Sequence, residues 1–192
     1  MPEKSAEMTD NELVQFSKRS PDAFSEIVLR YQDRLFRYIK RISYFADEDI
    51  EDIIQETFIK AYKSLNIFDN DLKFSSWIYQ IARNATIDAI RKKQARPQAM
   101  YFEENDVLKF FQSDIDVHIQ AEARNHLDII RKIIDELPYK YKEVLVLRFL
   151  EDKNYEEIMD IIQKPKGTVA ALINRGRKML LKEASNKFGI NN

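Results

Sequence analysis

The chain has 192 residues, with 31 lysines and arginines against 32 aspartates and glutamates, a formal net charge of −1. It has no cysteine, which excludes disulfide scaffolds, thiolate metal sites and cysteine nucleophiles. Its glycines, Gly167, Gly176 and Gly189, are too scattered for a phosphate-binding loop, and the longest apolar run, 169–173, is far too short to span a membrane.

The opening MPEKSAEMTD lacks the apolar core of a signal peptide, so the expectation is a soluble cytoplasmic protein with no membrane contact of its own. Sparse glycine and proline favour long helices over short strands. In chain order, Asp10 or Asn11 is expected to cap a short helix bearing Leu13, Val14 and Phe16. Ser20-Pro21-Asp22 opens a second helix, whose Phe24, Ile27, Val28, Tyr31, Leu35, Phe36, Ile39 and Ile42 keep the spacing of one buried face. Ile50, Ile53, Ile54, Phe58, Ala61, Tyr62 and Leu65 predict a third helix. The Asn- and Asp-rich stretch 66–74 reads as a loop, and a fourth helix starts near Ser75 or Ser76 and runs toward Lys93. These helices make a small bundle over 10–97.

Residues 98–122 read as an acidic linker: Glu103, Glu104, Asp106, Asp114, Asp116 and Glu122 stand against Lys109. A second helical unit covers 123–187. Its first helix, bearing Leu127, Ile130, Ile134 and Leu137, stops at Pro138, and Tyr141, Val144, Leu145 and Phe149 mark the next. Asn154 with Glu157 three residues on predicts a capping box at the start of a short helix. A turn at 163–167 leads to a last, basic helix from about Thr168, and two such helices with a tight turn outline a helix-turn-helix. The fold class is therefore all-α, as two small helical domains joined by a linker.

Charge is sorted along the chain. Asp47, Glu48, Asp49, Glu51, Asp52 and Glu56 crowd 47–56 with no base. Arg83, Arg91, Lys92, Lys93 and Arg96 oppose only Asp88, and Lys164, Lys166, Arg175, Arg177, Lys178, Lys182 and Lys187 oppose only Glu183. Either basic cluster alone reads as a solvated helix face; two on separate units suit two contacts with one polyanion. Asp52, Gln55 and Glu56 share a face away from the isoleucines, and an acidic stripe that repels phosphate suits a protein partner or plain solubility. Phe68, Phe74, Trp77 and Tyr79 adjoin a basic helix, as stacking on single-stranded bases requires; a tryptophan beside Ile78 also suits the core.

At these residues the chain resembles a family. FSEIVLRYQDRLFRYIKR, DIEDIIQETFIKAYKSL and FSSWIYQIARNATIDAIRKK are similar to region 2 of the extracytoplasmic-function (group 4) sigma factors of RNA polymerase. LPYKYKEVLVLRFLEDKNYEEIMDIIQKPKGTVAALINRGRKMLLK resembles their region 4. The resemblance implies a four-helix region 2, a helix-turn-helix region 4 and a role in promoter-specific transcription initiation. It implies that Asp52, Gln55, Glu56 and Phe58 dock on core RNA polymerase. It implies that Phe68, Asn70, Lys73, Phe74, Trp77, Gln80, Arg83, Asn84 and Arg91 engage the promoter −10 element and help to melt it. For the −35 element it implies Lys164, Lys166, Thr168, Ala171, Asn174, Arg175, Arg177 and Lys178. Partners would be core polymerase, promoter DNA and an anti-sigma factor; no cofactor, no metal and no catalysis are expected. The chain departs from the family pattern at Ala170, Ala171 and Leu172, where polar or basic readers are common. It also departs at Met159, where alanine is usual, and at Gln163, where glycine is.

Two other classes fit parts of the sequence. Asp114, His118, Glu122 and His126 are spaced for one helix face and a metal, yet they show no HExxH pattern and lie in the linker. A stand-alone helix-turn-helix regulator would share the C-terminal unit, but would need neither the acidic stripe nor the aromatic-basic helix.

Overall fold

The computed structural model describes residues 8–95, 130 and 132–188, and among them every regular element is helical. Helix α1 (Asp10–Ser17) is capped by Thr9 rather than by Asp10 or Asn11. The Thr9 hydroxyl accepts from the Glu12 N–H, and the Glu12 carboxylate accepts from the Thr9 N–H at 2.8 Å. That box leaves Asp10 free to accept from Arg30 at 2.8 Å and from the Tyr31 hydroxyl, pinning α1 to the next helix. Eight residues are too few for a stable isolated helix, so this docking, with Leu13 and Val14 fully buried, is what holds α1.

Pro21–Ala23 form a 3₁₀ turn leading into α2 (Phe24–Ile42), followed by α3 (Asp47–Ser64), a second 3₁₀ turn (Leu65–Ile67) and α4 (Phe74–Ala95). Most of the expected faces are buried: Ile27, Tyr31, Leu35, Ile39 and Ile42 on α2, and Ile50, Ile53, Ile54, Phe58 and Ala61 on α3, whereas Val28 and Phe36 are half-buried at the edge and Tyr62, like Phe16 of α1, is exposed. Tyr31, Phe68, Phe74 and Trp77 form one ring cluster, with centroids 4.9 to 5.6 Å apart along it. Each fully buried large side chain contributes about 1.5–3 kcal/mol, so this shared core outweighs the weak intrinsic helicity of any one element.

In the C-terminal unit, residues 132–136 are helical, and α5 (Tyr139–Leu145) starts directly after Pro138. The sequence predicts α5 to continue through Phe149; instead Val146–Leu150 widen into a π turn. The Glu151 N–H bonds Val146 O at 3.0 Å, the Lys153 N–H bonds Leu147 O at 2.9 Å, and Asp152 passes through φ 50°. The widened turn aims Glu151 back at the N-terminal unit. Helix α6 (Tyr155–Ile162) has the expected box, with reciprocal 2.9 Å bonds between Asn154 and Glu157. Gln163 takes the left-handed cap that glycine usually fills, at φ 54°, and its amide donates to Asp160 O at 2.7 Å. Helix α7 (Lys166–Phe188) begins two residues before the predicted Thr168, because Pro165 O receives the Thr168 and Val169 N–H groups. The tight crossing in this unit is between α5 and α7 at Gly176, where a Cβ would lie 3.2 Å from Leu145, while Met159 packs half-buried against the core from α6.

The two units also pack on each other. Helix α4 lies along α6, and α2 meets α5 and the π turn. The linker 98–122 and the candidate metal ligands Asp114, His118, Glu122 and His126 lie outside the described residues. Among the described residues no helix is long and apolar enough to cross a membrane, and no cluster of His, Cys, Asp and Glu could hold a metal ion.

Candidate partner and nucleic-acid interfaces

Helix α3 buries its isoleucines and turns Asp52, Gln55 and Glu56 to solvent, as their i, i+3, i+4 spacing requires. Lys60 lies 2.7 Å from Glu56 one turn on and, by its hydrogen bond, holds the Glu56 carboxyl below the usual carboxylate range. Phe58 is not on this face: it is 7% exposed and meets Phe24 edge-on at 6.3 Å. Ile59 is on it, at 54% exposure. Sequence reasoning missed it, although its place three residues after Glu56 and off the buried face was legible. An apolar group amid a charged stripe is what a protein contact uses and what solubility alone does not need.

The α3–α4 segment divides into ring core and polar edge. Phe68 and Phe74, expected to touch bases, are 5% and 1% exposed and hold the loop to the bundle. Trp77 and Gln80 are half-buried. Asn70 is exposed and accepts from Gln15 Nε2 at 2.7 Å; Lys73, Asn84 and Arg91 are exposed, with Arg91 3.5 Å from Asp88. Ile67, at 84% exposure, and Leu72, at 43%, are the loop's outward apolar groups, and neither was singled out from sequence. The tight turn that buries Phe68 displaces Ile67 outward, a consequence no local spacing predicts.

Arg83 is half-buried and points into the C-terminal unit. Its Nε and Nη2 donate to the two Glu143 oxygens at 2.6 and 3.2 Å. Burial works against its charge, but the hydrogen bond and charge of Glu143 outweigh burial and keep the guanidinium protonated.

All eight expected residues are exposed: Lys164 in the turn before α7, and Lys166, Thr168, Ala171, Asn174, Arg175, Arg177 and Lys178 on the helix itself. Val169, Ile173 and Gly176 face the core, so the centre of the solvent face falls on Thr168, Ala171, Arg175, Lys178 and Lys182, spaced alternately three and four apart. Lys166 and Arg177 lie toward its flank, and Lys182 extends it by one turn. Ala170 and Leu172 are half-buried, Leu172 packing against the core, so two of the three departures after Gly167-Thr168-Val169 lie off the open face. Only Ala171 reaches the open face, where its methyl can meet an apolar base edge such as the thymine methyl.

Comparison with known proteins follows the same division. Residues 27–96 match the sigma-70 region 2 family, and residues 127–180 match sigma-70 region 4. The ECF RNA polymerase sigma factor SigW of Bacillus subtilis is 36% identical over 185 residues, covering 92% of this chain and 96% of that protein. The structure of CnrH in complex with the cytosolic domain of CnrY superposes with a TM-score of 0.65 at 21% identity, covering 92% of this chain and 97% of that one. The sigma factor RpoE of Bartonella quintana, solved with the anti-sigma factor NepR, superposes at 0.62 with 20% identity, covering 88% and 98%. At these identities the structural likeness speaks for the fold.

Proposed function

The chain belongs to the extracytoplasmic-function (ECF) family of RNA polymerase sigma factors, and we propose that it docks on core RNA polymerase through α3 and directs initiation at promoters read by α4 and α7. The observation that carries this reading is the sorting of exposed charge: an acidic-polar stripe on α3, with a basic stripe on α7 of the other unit. The α3 stripe repels phosphate and suits a protein; Asp52, Gln55 and Glu56 supply hydrogen bonds and Ile59 the apolar anchor. Phe58 acts from beneath, fixing the helix against Phe24.

Helix α7 enters the major groove of the −35 duplex in this reading. Arg175, Lys178 and Lys182 meet phosphates, while Thr168, Ala171 and Asn174 lie toward base edges. The α4 unit takes the −10 strand. Lys73, Asn70 and the outward Ile67 and Leu72 form the edge that a separated strand meets, Trp77, Gln80 and Asn84 continue it, and Arg83 and Arg91 bring positive charge. Phe68 and Phe74 hold that edge rigid from below.

Residues 10–97 and 123–187 are the two working units, and 98–122 is the connector. The reacting groups belong to the polymerase, and this chain supplies position and sequence choice, acting in the cytoplasm. A polypeptide inhibitor of the kind solved with the Bartonella factor is the third partner we assign. A stand-alone regulator would have no use for the α3 stripe.

The test is promoter melting. Core polymerase with this chain should render thymines upstream of a start site reactive to permanganate, whereas neither protein alone should. Reactivity that ignores the chain, or none with both proteins on promoters of its own genome, would reject the reading.

A further inference from the structure

Three carboxylates of the C-terminal unit meet the N-terminal unit at cations. Glu143 takes the Arg83 fork, with Tyr139 OH adding a 3.1 Å bond to the same carboxylate. Glu151 accepts from Arg41 and from Tyr79 OH, each at 2.7 Å. Glu157 lies 3.5 Å from Lys73 at the exposed rim. We propose that Glu143, Glu151 and Glu157 are an internal stand-in for the DNA backbone, closing the C-terminal unit over α4 and withholding Arg83 from the −10 strand until the units separate. The proposal rests on the reading of α4 as the −10 face.

A guanidinium binds a carboxylate with the same two-pronged geometry it uses for phosphate, so the two compete for one site. In this state Arg83 is 17% exposed and Glu143 4%, which leaves a nucleic acid no approach to the fork. The closure is selective. The solvent faces of α3 and α7 stay open in the same structure. Polymerase and −35 duplex can therefore be met first, and the −10 strand only after opening.

The interface is also built to reopen. Tyr38 OH is buried beside Glu143 and Tyr139 with no hydrogen-bond partner among the described residues, a penalty that separation relieves. Lys142, nearly fully buried, donates to Tyr44 OH at 2.8 Å and lies 3.8 Å from Asp135; Lys153 sits 4.6 Å over the Tyr79 ring and 3.9 Å from Glu157. Lys142 also stacks on the Tyr44 ring at 4.3 Å, and burying two lysines in the closed state carries a desolvation cost that separation returns.

The experiment compares the full chain with its Glu143→Gln, Glu151→Gln, Glu157→Gln triple variant. The absence of cysteine allows dyes at L29C and L181C, both on exposed side chains outside the proposed contact faces, to report the distance between units. A fluorescein-labelled random-sequence single strand, with unlabelled dye-free protein, reports strand binding. The triple variant should show lower energy transfer and bind the strand about tenfold more tightly, the factor released when a largely closed population opens. Tyr44→Ala, which removes an exposed tie to Lys142 and to Asp135 O, should shift both readouts the same way and stands in if the triple variant does not fold. Unchanged transfer and affinity in both variants would overturn the proposal, as would opening without tighter strand binding. Run-off transcription with core polymerase separates the two claims. Initiation absent with wild type and variants would reject the sigma reading, whereas initiation with unchanged strand binding rejects the internal mimic alone.

Discussion

Replacing Arg175 and Lys178 together by alanine removes two cations from the centre of the α7 solvent face and touches no core residue. Neither makes an ion pair with a described carboxylate, so their loss leaves no buried partner stranded and the fold should persist. If each neutralises one phosphate, the slope of log affinity against log salt should become shallower by about 1.8, at about 0.9 per contact on duplex DNA. Over an approximately fourfold rise in salt this difference is about one decade, so the deficit of the variant should shrink about tenfold. Arg177 lies roughly 200° round the helix from Arg175, at about 100° per residue, and Arg177→Ala should therefore change the slope by less than about 0.9. The assay is fluorescence anisotropy of a labelled −35 duplex across a salt series. Parallel salt lines for wild type and the double variant would refute the phosphate role. An Arg177→Ala effect as large as that of the double variant would refute the placement of the stripe.

Charge reversal on α3, Gln55→Lys with Glu56→Lys, should abolish co-elution with core polymerase while the far-ultraviolet dichroism stays unchanged; undiminished co-elution would remove α3 from the contact. Asn154→Ala deletes the side-chain half of the α6 box and should cost about 1 kcal/mol, a fall in thermal midpoint of about 2–4 °C for a chain of this size. Gly176→Val pushes a branched side chain into Leu145 across the α5–α7 crossing and should destabilise by about 1–3 kcal/mol, read from urea unfolding.

Helical class, element order and both exposed charge faces were legible in the sequence, because each depends on short spacing within one helix. The Asn154–Glu157 box is the plainest case, since both partners lie within one turn. What escaped was non-local. Phe68 and Phe74 look like loop aromatics free to stack on bases, and only the meeting of the loop with Tyr31 of α2 buries them. Thr9 rather than Asp10 caps α1 because Asp10 has a better partner in Arg30, twenty residues away. The π turn is absent from any periodicity: its end matters for where Glu151 lands, opposite Arg41, and that partner lies 110 residues earlier in the chain. Arg83 carries the same lesson, as a cation on a basic helix whose carboxylate partner is 60 residues away.

Run-off transcription tests the central claim most directly, using purified core polymerase on a genomic DNA library with and without the protein. Discrete new starts should appear only when the protein is present and disappear with the α3 charge reversal. Tight duplex binding by the protein alone, with no new starts, would contradict the sigma assignment and return the chain to the class of stand-alone regulators.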